Sequence, residues 1–323
     1  RNIGIGANTL NNNTSGLTNI AIGADALENN TTGDNNIAIG DLALNAAVTA
    51  GANIAVGSGV LQANTSGSDN TSIGFNALRF NTSGNKNIGL GREALFSNTT
   101  ASNNIGIGYR AMYYTTVGDS NVAVGTNALR DNISAYGNTA VGFEAMSNTT
   151  NEHNTAIGVQ ALYFNTTGYK NTANGAFSLR NNTSGFSIVA LGYYSIFNNT
   201  TGSGNTAIGN NSGGGVLTGD YNTAIGYFAG SWVSAQSGST AVGAFSNNAG
   251  YDRSTALGYS ADNTAGHQIM LGSPSVTSVA AYADYTVLSD KRFKTNISEN
   301  IHGLDFIMQL KPVSYNYDIS ELF

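Results

Sequence analysis

With 323 residues, only 10% of them charged, and a formal net charge of −6, the chain offers neither the basic surface of a nucleic-acid binder nor a polybasic membrane patch. It has no cysteine, which excludes disulfides and thiolate metal sites, and no apolar run long enough to cross a bilayer. Its 41 glycines and abundant asparagine and threonine are foreign to an ordinary globular domain, and its two prolines, Pro274 and Pro312, both stand beyond residue 272.

From the N-terminus the sequence keeps returning to one phrase, Asn19-Ile20-Ala21-Ile22-Gly23. It recurs from Asn36, Asn53, Asn70, Asn87, Asn104, Asn121 and Asn138 at a step of seventeen residues. The step is sixteen to Asn154, seventeen again through Ser239, then fifteen to Ser254 and fourteen to Gln268. Counting from Asn2 there are seventeen copies, each ending in glycine. A fixed period held this long predicts one supersecondary unit stacked on itself, a solenoid. The absence of proline upstream agrees, because proline cannot donate to a strand ladder. Arg1 falls in mid-repeat, so the sequence reads as a fragment that a leader or anchor could precede.

Numbering a repeat from its asparagine, position 2 is β-branched in every copy, position 4 is Ile, Val or Leu except at Asn174, and position 3 is small until Met270. That alternation predicts a short strand. After the glycine comes a second segment with a small residue at position 8 and Leu, Met or Ile at position 9, as at Leu10, Leu27, Leu78, Met112, Leu162 and Ile196. Runs such as Asn30-Thr31-Thr32-Gly33 supply the turn. Positions 2, 4 and 9 are expected inside, with Ile22, Leu27 and Ile39 buried. Position 3 is expected on the outer face, where Ala140 and Ala156 would let protomers approach closely. Stacking at the strand spacing gives a rod of roughly 80 Å with a ladder of position-1 amides. From Gly213 onward position 9 ceases to be aliphatic (Gly213, Gly230, Asn247, Asp262), which predicts a narrower cross-section with Phe228 and Phe245 replacing part of the core.

The asparagine, β-branched, small, aliphatic, glycine phrase resembles the head repeat of trimeric autotransporter adhesins over residues 2–272. The resemblance implies a left-handed parallel β-roll in which three chains pack side by side, although those heads favour coils nearer fourteen residues.

Residues 275–288 read as an extended neck. Beyond them stand Leu-Ser-Asp-x-Arg-x-Lys-x-x-Ile at 288–297 and Leu-Lys-Pro-Val-Ser-Tyr at 310–315. Residues 303–310 carry helical apolar spacing and Val313, Tyr315 and Tyr317 alternate like a strand. This segment is similar to the start of the intramolecular chaperone domain of phage tailspikes and tail fibres, best known from endosialidases. The resemblance implies a domain that trimerises, assists folding upstream, and cuts itself off before the serine. Carried over, Ser289 is the nucleophile, Lys294 the base, and the cleaved bond joins Leu288 to Ser289. Lys291 is a competing base. Only 35 residues run from Ser289 to Phe323, so the domain is present in part.

Aromatics at position 6 (Phe75, Tyr109, Phe143, Tyr193, Tyr227, Tyr259) and near positions 10 and 11 (Phe80, Phe96, Tyr113, Tyr163, Phe197) are candidates for ligand stacking or for padding the corners. The Asn-x-Ser/Thr triplets are turn chemistry. His153, His267 and His302 lack ligand spacing, so no metal and no cofactor are expected. The reading is therefore an all-β, homotrimeric parallel β-roll of about 17 coils (1–272), a neck (273–288), and a partial self-cleaving chaperone domain (289–323). Its expected work is structural and adhesive, in a virion tail fibre or on a bacterial surface, outside the cell, facing a surface receptor for which carbohydrate is one class. Enzymatic activity is expected only as single-turnover autoproteolysis. Two rivals are a tailspike depolymerase with its catalytic domain upstream, and an ice-binding solenoid using the position-2 threonines.

Overall fold

The computed structural model describes residues 1–215, 218–230 and 235–279. Residues 1–276 form one compact unit. It is a parallel β-solenoid of seventeen three-residue strands, from β1 (Ile3–Ile5) to β17 (Ile269–Leu271), and the described residues contain no helix. Each strand pairs with the next in parallel, with like positions opposed: Ile20 faces Ile37, Ala21 faces Ala38 and Ile22 faces Ile39. The register passes through the sixteen-residue step without a slip, Ala140 facing Ala156.

The strand faces are the reverse of those expected. Position 3 points inward and is buried in every strand from Ala21 to Ala256, whereas positions 2 and 4 lie half-buried or exposed. Leu27 is fully buried as predicted, but Ile22 is half-buried and Ile39 is 37% exposed. The reason is space. A Cβ added at Gly106 would lie 3.0 Å from Leu95 Cγ, and one at Gly89 3.2 Å from Leu78 Cδ1. The leucine column therefore packs directly on position 3, leaving room for a methyl group or less. Ala140 and Ala156 are core residues, and no protomer can approach through them.

Four residues per coil turn the corners with positive φ, as in Gly23 (130°), Asp25 (56°), Leu27 (50°) and Asn35 (59°). A left-handed leucine costs about 1–2 kcal/mol. Full burial of its side chain, worth about 1.5–3 kcal/mol, offsets that cost. The same backbone also bonds to the next coil, Leu27 N–H donating to the Ala43 carbonyl at 3.0 Å. Glycine at position 5 is required twice over. Its φ is open only to glycine, and a Cβ at Gly40 would stand 2.4 Å from the Gly57 carbonyl oxygen.

Two buried asparagine columns line the interior. At position 1, Asn36 N–H and Nδ2 both donate to Asn19 Oδ1, at 2.9 and 3.1 Å, and Nδ2 also donates to the Ala50 carbonyl. The expected amide ladder is present, with the backbone N–H recruited into it. A second column, at position 12, lies where the sequence indicates only a turn. Asn81 Nδ2 donates to Asn64 Oδ1 at 2.7 Å and to the Gly84 carbonyl, and Asn98 continues it. Where the next coil places Ala47 or Thr115 there, Asn30 Oδ1 and Asn98 Oδ1 are left without a partner.

Candidate functional site

The site most directly dictated by the repeat is the outer strand face. Because positions 2 and 4 point outward, β-branched and aliphatic side chains form two columns along the stack. Ile73 is 45% exposed, Ile157 40% and Ile208 39%, all at position 4. The position-2 column changes along the rod. It is Ile from β2 (Ile20–Ile22) through β4 (Ile54–Val56), and from β9 (Thr139–Val141) to β16 (Thr255–Leu257) it is Thr in all strands but the one carrying Val189. Single exposed apolar residues are ordinary; here the position-4 column sets them one above another along the stack, with Asn174 as its one polar member.

The aromatics fall into separate groups. Phe75, Tyr109, Phe143, Tyr193 and Tyr227 are all exposed at the corner after the strand. Arg92 lies over the Phe75 ring (5.6 Å) and Arg110 over Tyr109 (5.0 Å). Tyr193 instead packs on Tyr194 (4.4 Å), and Tyr227 on Phe228 and Phe245. The continuous aromatic run lies at positions 10 and 11. Phe80 meets Phe96 edge-on at 4.9 Å, Phe96 stacks on Tyr113 at 4.9 Å and 4°, and Tyr113 meets Tyr114 edge-on at 4.6 Å. Phe96 and Tyr113 are one repeat apart, so the stack follows from the coil spacing itself. Arg180 covers Tyr163, Phe164 and Phe197 farther along.

Beside this run Glu93, nearly buried, is held between Arg110 at 2.7 Å and Arg92 at 3.3 Å. The hydrogen bond and charge of Arg110 hold its carboxyl below the usual carboxylate range, against the opposing effect of burial. Burial, helped by the Glu93 charge, pushes the Tyr113 hydroxyl up. Periodicity does not reveal this cluster, because position 7 varies from Asp25 and Glu144 to Leu42, Gly59 and Phe177 in other coils.

Among the described residues no group of three His, Asp or Glu is arranged to hold a metal ion, and no helix is long and apolar enough to cross a membrane. Leu288, Ser289 and Lys294 lie outside the described residues. Residues 289–321 match the family described as chaperone of endosialidase. No curated protein matches the chain.

Proposed function

We propose that this chain is a homotrimeric fibre segment whose β-roll is folded and aligned by the C-terminal chaperone segment, and that it serves attachment outside the cell. The match to the chaperone of endosialidase family immediately downstream of a long repeat array carries this reading. Near-identical coils can pair one repeat out of register with almost no loss of contacts, and aligning three such chains is slow and exposed to aggregation. A terminal trimeriser supplies the missing register. The exposed columns at positions 2 and 4 are the faces on which the three rolls meet, in place of the buried position 3. A virion tail fibre and a bacterial surface adhesin both fit, with the exposed aromatics facing a receptor.

The chaperone segment releases itself in this reading. Ser289 Oγ attacks the Leu288 carbonyl carbon while Lys294, as the neutral amine, takes the hydroxyl proton. The proton passes to the departing Ser289 nitrogen, and water then hydrolyses the ester to give the Leu288 carboxylate and the free hydroxyl. A lysine acts so only where burial lowers its pKa. Removing the trimeriser leaves a fibre guarded by its unfolding barrier. On denaturing gels of the full-length parent, Ser289→Ala and Lys294→Ala give uncut chains that still trimerise. Cleavage of Ser289→Ala at that bond refutes the dyad, and normal folding after deletion of everything beyond Leu288 refutes the chaperone role.

One observation favours a second reading. The outward threonines from Thr139 to Thr255, interrupted by Val189, recur once per coil, a regular spacing that an ice-binding face would use. The two readings compete for the same surface, so thermal hysteresis from a monomeric roll supports the second and excludes the first.

A further inference from the structure

Beyond the strand face, a positive patch lies on the corner flank of three successive coils, at Arg79 (position 10), Arg92 (position 6) and Arg110 (position 7). Each guanidinium is fixed from two sides. Arg79 Nε donates to Gln62 Oε1 at 3.0 Å, and Arg92 and Arg110 donate through Nε to the two oxygens of Glu93, at 3.3 and 2.7 Å. An aromatic ring lies against each, Phe80 at 5.4 Å, Phe75 at 5.6 Å and Tyr109 at 5.0 Å. Among the described residues no hydrogen bond uses the outer Nη groups of these three arginines. Arg130 and Arg180 differ, with Nη2 of the first donating to Asp131 and Nη1 of the second to Asn181. The patch is continuous, since Phe80 meets Phe96, Phe96 stacks on Tyr113, and Arg110 lies 5.1 Å from the Tyr113 ring. Three arginines against one glutamate make it positive on a chain whose net charge is −6. The acids of the same flank are set apart. Ser58, Gly59 and Gln62 separate it from Asp25, Glu28 and Asp41, while Asp131 is paired with Arg130 and Glu144 accepts from Gln160.

An arginine tied through Nε presents its two Nη groups as a fork that matches a carboxylate, sulfate or phosphate. With Nε bonded and a ring against the guanidinium, little side-chain freedom remains to be lost on binding, so the forks are pre-organised. One fork per coil places the charges at successive steps of about 4.8 Å along the rod. That arrangement suits an extended ligand carrying acidic groups at intervals, and not one compact ion. Beside the forks Phe75, Phe80 and Tyr109 are exposed, which offers apolar surface to the C–H groups of sugar units. We propose that this flank binds an anionic polysaccharide lying along the roll, its acidic groups held by the outer forks of Arg79, Arg92 and Arg110. Glu93 keeps its place on Nε, so the ligand displaces no bond within the protein. The proposal rests on the reading of the roll as an attachment segment, yet it fails separately. A trimeric, self-cleaving chain that binds no acidic glycan defeats it and leaves that reading intact.

The test is isothermal titration of the full chain with oligogalacturonate and dextran sulfate as carboxylated and sulfated glycans, neutral dextran, and oligothymidylate as an anion of another class. Ionic strength is held at about 0.15 M, where charges more than about 8 Å apart are largely screened. At least one acidic glycan should bind about tenfold or more tightly than dextran, a difference of about 1.4 kcal/mol. Arg79→Gln combined with Arg92→Gln should lose about tenfold or more in affinity. Arg110→Lys keeps the charge beside Glu93 but loses the fork, and should weaken binding as well. Arg180→Gln, on a later coil with its Nη1 already engaged, should change nothing. These side chains lie at the surface, so the variants should keep the parent's circular dichroism. The proposal is overturned if neither acidic glycan binds better than dextran, or if the double variant or Arg110→Lys binds as the parent does. Oligothymidylate binding as tightly as the acidic glycans overturns it too, because bare charge attraction then accounts for the affinity.

Discussion

The coils before Asn205 and those after it keep the same strand arm while differing in everything that packs against it. Upstream, position 9 places Leu95, Met112, Leu129 or Met146 fully inside, against position 3 and the two asparagine columns. Downstream, position 9 is Gly213, Gly230, Asn247 and Asp262, yet the backbone pattern persists. Gly213 N–H donates to the Ala229 carbonyl and Asn247 N–H to the Ala261 carbonyl, both at 2.8 Å. The interior that remains is small and increasingly polar. Ala224, Ala241, Ala256 and Ala261 are fully buried, and Asn248 Nδ2 donates to the Ser254 carbonyl and hydroxyl at 2.6 and 2.9 Å. Phe228 and Phe245 do not replace the lost aliphatic core. They are 36% and 46% exposed, stack on each other outside, and meet Tyr227 edge-on. The comparison teaches that the strand ladder and its alanine column set the fold, while the leucine column supplies hydrophobic stability where it is present.

The sharpest way to break the comparison is to charge the part both regions share. Ala156→Glu buries an unpaired carboxylate and should cost about 3–5 kcal/mol. Ala241→Glu, downstream, should be equally damaging in denaturant unfolding. Next, Leu95→Ala should cost about 2–5 kcal/mol by opening a cavity. The equivalent Asn247→Ala should cost less than about 1 kcal/mol, since only a half-exposed side chain and its long, exposed hydrogen bond from the Ala249 N–H are lost. Equal losses at Leu95 and Asn247 would show that the two regions share one kind of core. Asn87→Ala removes the acceptor of the buried Asn104 N–H and a donor to the Ala101 carbonyl, at a cost of about 1–3 kcal/mol.

The smallest effect is electrostatic and confined to the upstream region. Glu93 is depressed by its arginines, so in the folded state it binds its proton at lower pH than in the unfolded chain. Its stabilisation is therefore fully present above the ordinary glutamate range and is lost as pH falls below it through the folded value. Thermal melts should show Glu93→Gln less stable than the parent at neutral pH, the gap closing on acidification. A gap that widens in acid would reverse the assigned sign.

The stacking, the register and the position-1 amide ladder were legible in the sequence, because a repeat of fixed length places like residues above one another. The strand faces were not. A period of two fits either orientation, and Ile at positions 2 and 4 looks like the core until the room beside Leu78 and Leu95 is known. Small Ala21 and Gly106 were in fact the marks of the tight interior. The position-12 column was hidden because Asn81 and Asn98 sit in runs that equally suit an exposed turn. The family match begins at Ser289, but the roles of Ser289 and Lys294 come from resemblance alone, and both lie outside the described residues.

The measurement that bears most directly on the central claim, three rolls joined through the outward columns, is sedimentation velocity on the parent chain and on Ile39→Glu combined with Ile157→Glu. Both isoleucines lie on the outer face, so the variant should keep the parent's circular dichroism. The account predicts a trimeric parent and a folded monomeric variant. A monomeric parent, or a variant that stays fully trimeric, would contradict it.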